Sequence, residues 1–246
     1  AEDEIVMQSG LYVALSSQIA LERRLTTIAD NVANAGTVGF KATEVKFNDL
    51  VDGLGRDSVS FVSTGDSYLS TKVGPLQQTG NAFDFAVQGD AWFAIETPQG
   101  QVVTRDGRFQ MIETGELLTL EGYPVLDPGG APIQLDPNGG APVAGRDGTL
   151  RQNGNLVAGI GLFRFDPGSE FVRFGNSGIV PQGRPDPIVD RQDIGVAQGF
   201  VEQSNVNPIQ EMMRLIQVQR AFENITALMR DGEDALGTAI RDLGSA

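Results

Sequence analysis

The side chains that most often run enzyme chemistry near neutral pH are missing from this sequence, which has no histidine and no cysteine among its 246 residues. That removes imidazole general bases, thiolate nucleophiles and the nitrogen and sulfur ligand sets of zinc and iron centres. Carboxylate acid–base chemistry, a serine–lysine pair, or a hard cation held by oxygens would remain. The spacings support none of them. No G-x-S-x-G, P-loop or G-x-G-x-x-G run occurs, and the nearest, Gly53-Leu54-Gly55 and Gly159-Ile160-Gly161, lack a third glycine and read as turn and strand glycines. Asp136-Pro137-Asn138-Gly139 holds a fragment of a calcium loop, but a proline stands where a ligand belongs and no glutamate closes it. Asp84 with Asp90, or Glu233 with Asp234, would do acid–base work if buried together. With 32 acidic residues in the chain such pairs arise by chance, and solvated positions are the favoured reading. No catalytic, cofactor or metal residue is assigned, and no enzyme is expected.

Charge narrows the partners. The chain carries 32 acidic against 18 basic residues, a net charge of −14. Phosphate binding needs clustered Lys and Arg, so nucleic acid is not an expected partner, and an anionic membrane surface would repel the chain. No apolar run approaches the roughly 18 to 20 residues that span a bilayer. Residues 1–6 carry three acids and lack the basic segment and apolar core of a secretory signal, so any export is expected to use another route.

The chain divides by composition. Glycine and proline concentrate between residues 36 and 200, whereas Gln8 to Ala35 and Ile209 to Met229 contain no proline and predict helices. A heptad frame from Leu11 places Leu11, Ala14, Gln18, Leu21, Leu25, Ile28, Val32 and Ala35 on one seam, long enough at 28 residues, about 42 Å, to supercoil. An ordinary amphipathic core helix would give the same pattern. In the C-terminal segment Asn207 is a suitable N-cap and Pro208 suits the first helical position. Its seam runs through Leu215, Val218, Phe222, Ile225, Met229, Gly232, Leu236, Ala239 and Leu243, with Gly232 expected as a weak point. Leu15, Ala29, Met212, Ala221, Leu228 and Ile240 lie beside the two seams, where a two-helix hairpin would leave them wet. Burying a large apolar side chain contributes roughly 1.5–3 kcal/mol and ordering a residue costs about 1.5 kcal/mol, so the pair alone is marginal and neighbouring molecules are expected to complete it.

Between the helices, turns recur every 8 to 12 residues: Gln88-Gly89-Asp90, Pro98 to Gly100, Asp106-Gly107, Asp147-Gly148 and Asn153-Gly154. Strands are expected at Phe83, Phe85 and Val87 alternating with Asp84 and Ala86, at Trp92 to Ile95, and along Leu156 to Phe165. The echo Arg105-Asp106-Gly107 and Arg146-Asp147-Gly148 reads as a repeated hairpin turn. The fold class expected is α+β, with N- and C-terminal α-helices forming a coiled-coil-like assembly region and a central all-β domain. The expected domains are 1–36 with 203–246 as the helical part, 37–75 as an extended connecting segment, and 76–202 as the β-rich domain.

Two terminal stretches then carry a resemblance. Asn31-Val32-Ala33-Asn34-Ala35-Gly36-Thr37-Val38-Gly39-Phe40-Lys41 resembles the motif that closes the first helix of bacterial flagellar rod and hook proteins. Gly199-Phe200-Val201-Glu202-Gln203-Ser204-Asn205-Val206-Asn207, Glu211-Met212 and Gln219-Arg220-Ala221-Phe222-Glu223 resemble the same family's C-terminal motif. Phe85 to Phe93 and Thr104 to Phe109 are similar to its middle, so the resemblance covers most of the chain. The length fits the rod subunits better than the longer hook protein, and the opening Gly10 to Leu15 looks most like the proximal rod type, with the distal type as alternative. The resemblance implies a structural subunit of the periplasmic basal-body rod, exported without a cleaved signal and adding helically to a shaft that transmits torque. Its implied partners are further copies and other rod proteins. The implied assembly interface is Leu11, Leu21, Leu25, Ile28, Asn31, Val32 and Asn34 with Met212, Leu215, Val218, Phe222, Ile225, Met229 and Leu236. An oligomerising β module that binds carbohydrate or peptide through Trp92 and Tyr123 is the reading from a different class.

Overall fold

The computed structural model describes residues 2–46, 49–52, 59–62, 66–166, 171–189 and 192–244, with backbone alone for 2–13, 49–52, 59–62 and parts of 233–244. The two proline-free stretches form α1 (Glu2–Ala33) and α2 (Pro208–Gly244), of 32 and 37 residues. α1 begins ahead of the expected Gln8 and stops short of Ala35. It ends in a turn at residues 34–36, where Thr37 N donates to Asn34 O at 3.1 Å and the Thr37 hydroxyl to Asn34 Oδ1 at 3.1 Å. The left-handed glycine that follows is Gly39, with φ 71°. At the start of α2, Asn207 Oδ1 accepts from the amides of Ile209 and Gln210 at 3.1 and 3.2 Å, satisfying two otherwise orphaned donors. Gly232 does not interrupt α2, because one glycine costs a long helix only about 1 kcal/mol.

Between the helices lie β1 (Thr43–Lys46), β2 (Asp49–Asp52), β3 (Val59–Val62), β4 (Asp66–Leu69), β5 (Leu76–Gln78) and β6 (Phe85–Gln88). They are followed by β7 (Phe93–Thr97), β8 (Gly100–Thr104), β9 (Phe109–Met111), β10 (Leu117–Thr119), β11 (Val143–Ala144), β12 (Thr149–Gln152) and β13 (Asn155–Gly159). The series closes with β14 (Phe163–Arg164), β15 (Val172–Phe174), β16 (Gly178–Val180), β17 (Asp186–Pro187), β18 (Gly195–Gln198) and β19 (Phe200–Glu202). The architecture is α+β, with terminal helices and a mostly β middle.

The chain forms two compact units. One contains Ala1–Ala33, Thr43–Ser67 and Asn207–Ala246. In it α1 packs against α2, β1 and β3, and β2 pairs antiparallel with β3 from Asp49↔Val62 to Asp52↔Val59. The other contains Asn34–Ala42 and Tyr68–Val206. The stretch 37–75, read from composition as one extended connector, therefore contributes to both units. Its glycines explain why: a Cβ at Gly39 would stand 2.2 Å from Asp106 N, and one at Gly74 would stand 1.9 Å from Gln203 O. Their lack of a side chain lets the backbone press into the β unit.

The β unit is built from short antiparallel ladders. β15, β16, β8 and β7 make a four-stranded sheet in that order, β11, β12 and β13 a three-stranded one, and β6 with β18 and β5 with β19 make ribbons. The β7–β8 hairpin pairs Thr97 with Gly100 across a tight turn, where the Thr97 hydroxyl donates to Gly100 O at 2.8 Å. Phe85, Phe93, Phe109, Leu117, Val125 and Leu150 form the centre of the core, with Phe109 touching both other rings at 5.9 and 5.3 Å between centroids. The alternation expected along β6 leaves no wet face, since Phe85, Ala86 and Val87 are all buried. Both faces of this strand are covered, which turns an alternating pattern into a solid one.

Candidate functional site

In the helical unit the expected interface residues divide by exposure. Ile28, Asn31 and Val218 are buried within the chain itself, and Leu21, Leu25, Val32, Leu215, Phe222, Ile225 and Met229 are half-buried. Met212 is half exposed, at 50%. The side chains of Leu11 and Leu236 lie outside the described residues. Asn31 reaches beyond its own helix end: its amide donates to Thr43 O and accepts from Thr43 N, each at 2.9 Å. One side chain thereby pins β1 to α1 with a two-point bond.

In the β unit Asn34 is half-buried, and three charged side chains that sequence reasoning did not single out meet in the interior. Glu202, at the end of β19, is 0% exposed. Its Oε1 accepts from Lys41 Nζ at 2.6 Å and from the Gly74 amide at 2.9 Å, and its Oε2 accepts from Arg105 at 3.0 Å. Lys41 also donates to Lys72 O at 2.7 Å, and Arg105 to Gly89 O at 3.0 Å. The Arg105 guanidinium lies 5.1 Å from the Trp92 ring centroid, and Trp92 meets Phe165 edge-on at 5.5 Å. Burial pushes both the Lys41 ammonium and the Arg105 guanidinium below their ordinary pKa values, against the pull of the Glu202 carboxylate.

Each member of this cluster comes from a different motif. Lys41 ends the N-terminal motif, Arg105 opens the Arg-Asp-Gly turn after β8, and Glu202 sits in the C-terminal motif. Backbone bonds reinforce the convergence, with Gly39 N donating to Glu202 O at 2.7 Å. Asn205 adds to it: its Oδ1 accepts from Ala42 N at 2.7 Å and its Nδ2 donates to Lys72 O at 2.9 Å. Arg173 stacks over Phe40 at 4.3 Å and donates to Lys41 O at 2.6 Å. The signal in the sequence was a single charge in apolar company, as in Val38-Gly39-Phe40-Lys41-Ala42 and Phe200-Val201-Glu202. Such residues are seldom fully buried unless paired. The arrangement crosslinks three segments, and its one carboxylate accepts three hydrogen bonds.

The alternative site residues are occupied structurally. Trp92 is 2% exposed beneath Arg105, and Tyr123 rests against Phe174 at 5.4 Å between ring centroids. Asp106 pairs with Arg108 at 2.6 Å, and buried Asp84 accepts from Asn81 at 3.1 Å. Among the described residues no three acidic side chains gather to hold a metal, and no helix is long and apolar enough to cross a membrane.

Comparison with known proteins follows the same three motifs. Residues 11–41 match the family described as flagella basal body rod protein, 86–163 the flagellar hook protein FlgE/F/G D1 domain, and 197–242 the flagellar basal body rod FlgEFG protein C-terminal. The flagellar basal-body rod protein FlgF of Mesorhizobium japonicum is 67% identical, over 97% of this chain and 99% of its own length. The FlgF of Rhizobium meliloti is 58% identical over 98% of this chain and all of its own length, and that of Caulobacter vibrioides 36% identical over 97% and 99%. The identity falls to 29% with the flagellar basal-body rod protein FlgG of Bacillus subtilis, over 94% and 97%. A match this close over nearly the whole length, with each motif in its place, means that the chain belongs to the flagellar basal-body rod protein family, in its FlgF group.

Proposed function

We propose that this chain is a structural subunit of the flagellar basal-body rod, of the proximal type, whose terminal helices pack with those of neighbouring subunits while the β unit supplies lateral contacts. The observation that carries the reading is on the helices. After α1 and α2 have packed together, Leu15, Ile19, Met212, Ile216 and Leu228 remain 45 to 68% exposed. Scattered exposed leucines are ordinary, but repeated large apolar residues on two long helices are the mark of surfaces that a partner covers. The seam residues Leu25, Phe222 and Ile225 are only half-buried in the single chain and have contacts left to make.

In this reading the buried Lys41–Glu202–Arg105 cluster holds together the chain segments leading from α1 and into α2. Load applied through either helix then reaches a crosslinked interior and not a loop. A shaft that transmits torque needs such stiffness, and a buried network of hydrogen bonds joining three segments supplies it. Export without a cleaved signal and residence in the periplasmic part of the basal body belong to the same proposal. The carbohydrate- or peptide-binding alternative loses one of its two contact residues, because Trp92 is covered by Arg105.

The test is biochemical. Basal bodies purified from the source bacterium and analysed by quantitative mass spectrometry are expected to contain this chain in fixed proportion to the other rod proteins. Its absence from intact basal bodies would reduce the reading to an oligomerising protein of another assembly.

A further inference from the structure

A cleft of about 340 Å³ opens in the β unit where three turns meet: the Arg-Asp-Gly turn after β8, the turn from Thr119 to Tyr123 after β10, and the β15–β16 loop at 175–177. Its volume falls within the range of about 300–1,000 Å³ in which small molecules bind, near the lower end. Tyr123 and Phe174 supply the apolar side, fixing each other edge to face with centroids 5.4 Å apart and planes at 67°. Bonds within the chain set the turns. Gly122 N donates to Thr119 O at 3.0 Å, and Tyr123 N to the Thr119 hydroxyl at 3.2 Å. Asp106 N donates to Thr104 Oγ1 at 3.0 Å, and that hydroxyl lies 3.2 Å from Ser177 Oγ. A site whose walls are ordered beforehand loses less entropy when a ligand enters.

The polar groups around the two rings divide into those already bonded and those left over. Arg108 forks onto Asp106, Nε to Oδ1 at 3.0 Å and Nη2 to Oδ2 at 2.6 Å, which engages both carboxylate oxygens and leaves Nη1 to donate. The Tyr123 hydroxyl, the Glu121 carboxylate and the Asn176 amide line the same cleft and form no hydrogen bond with the described residues. The ring contact therefore fixes Tyr123 while leaving its polar end unused. Together these groups offer donors and acceptors beside an aromatic wall. An anion would face Glu121 in a chain of net charge −14, and a cation would face the Arg108 guanidinium and bring no acceptor for its Nη1. Uncharged hydroxyl groups both donate and accept, so they match the whole set without setting like charges together. A ligand that also has a C–H face suits the electron-rich face of an aromatic ring. A pyranose has both features.

We propose that this cleft is a binding site for a neutral saccharide, with a sugar ring against Tyr123 and Phe174 and its hydroxyls on Arg108, Glu121, Asn176 and the Tyr123 phenol. Trp92 takes no part in it, being covered by Arg105. The site goes beyond the rod reading and does not depend on it.

The full chain is titrated separately with cellobiose, N,N′-diacetylchitobiose and tri-lysine, followed by proton–nitrogen correlation NMR. At least one disaccharide is expected to shift the amides of residues 119–123 and 174–178, and tri-lysine to leave them in place. Tyr123→Phe keeps the ring and removes only the hydroxyl, and Asn176→Ala trims an exposed loop side chain. Each is expected to weaken saccharide binding roughly two- to tenfold, the worth of one hydrogen bond, with the remaining spectrum unchanged. Should Tyr123→Phe disturb the fold, Asn176→Ala carries the comparison. No shift with either disaccharide, shifts confined to another surface, tri-lysine bound in the cleft, or an affinity unchanged by a folded variant each overturn the proposal.

Discussion

Glu202 holds two cations and a backbone amide in a place water does not reach. Removing one partner of such a cluster leaves uncompensated charge in the interior, which costs about 3–5 kcal/mol. Glu202→Gln is therefore expected to lower the unfolding free energy obtained from urea titration by an amount of that order. Combined with Lys41→Met it should cost less than the two single changes added, because each single change strands the other's charge. Additive losses would show that the three groups do not act as a unit. A second prediction concerns the exposed Asp147-Gly148 turn. The Thr149 hydroxyl donates to Asp147 Oδ1 at 2.7 Å and its amide at 3.2 Å, holding the carboxyl below its ordinary value of 3.8. A carboxyl with a depressed folded-state pKa contributes stability above its unfolded value and loses it as pH falls through the folded one. NMR titration should find Asp147 below 3.8, and Thr149→Val should raise it; an unmoved value would exclude the hydroxyl as the cause.

α2 is a helix whose two ends rest on different supports. Its start is held by the Asn207 cap and by Glu211, buried and ion-paired with Arg214 at 2.5 Å. Asn207→Ala is expected to destabilise the helical unit by about 1 kcal/mol, seen as a lower midpoint in thermal melts followed by far-UV circular dichroism. Gly232→Ala should act in the opposite sense by about 1 kcal/mol, since Gly232 lies within continuous helix and a Cβ there would meet nothing within 4 Å. A loss on Gly232→Ala would point to a bend at that position. α1 ends for reasons visible at the same scale: the Asn34–Thr37 turn closes it and Asn31 spends its amide on Thr43, off the helix axis.

For the whole molecule the expected behaviour is separation of folding from assembly. The β unit has its own aromatic core and buried ion cluster, and the chain's one tryptophan, Trp92, sits within it as an internal reporter. Phe222→Asp or Ile225→Asp, on half-buried positions of α2, is expected to abolish swimming on motility agar while Trp92 fluorescence keeps the emission of the folded β unit. Normal swimming by either variant would remove these residues from the assembly interface. A shift of the tryptophan emission would instead mean that the helices help fold the β unit.

The sequence by itself determined the elements with strong local causes. Absence of proline and a heptad apolar repeat marked both helices, Asn207-Pro208 marked the start of α2, and recurrent Asp-Gly and Asn-Gly pairs marked turns of the β unit. The terminal motifs gave the family, and the family relatives agree. Only the tertiary structure decided what those motifs are for. Lys41, Arg105 and Glu202 are separated by scores of residues, and nothing in their local spacing announces that they share one buried carboxylate. Gly39 combines a left-handed backbone with a site where a Cβ would stand 2.2 Å from Asp106 N, a constraint imposed by a segment far away in sequence. The exposed apolar residues of α2 were likewise hidden. Periodicity shows that a helix has apolar residues on more than one side, but which side the partner helix covers depends on how α1 packs, and that is decided by contacts between segments nearly 200 residues apart.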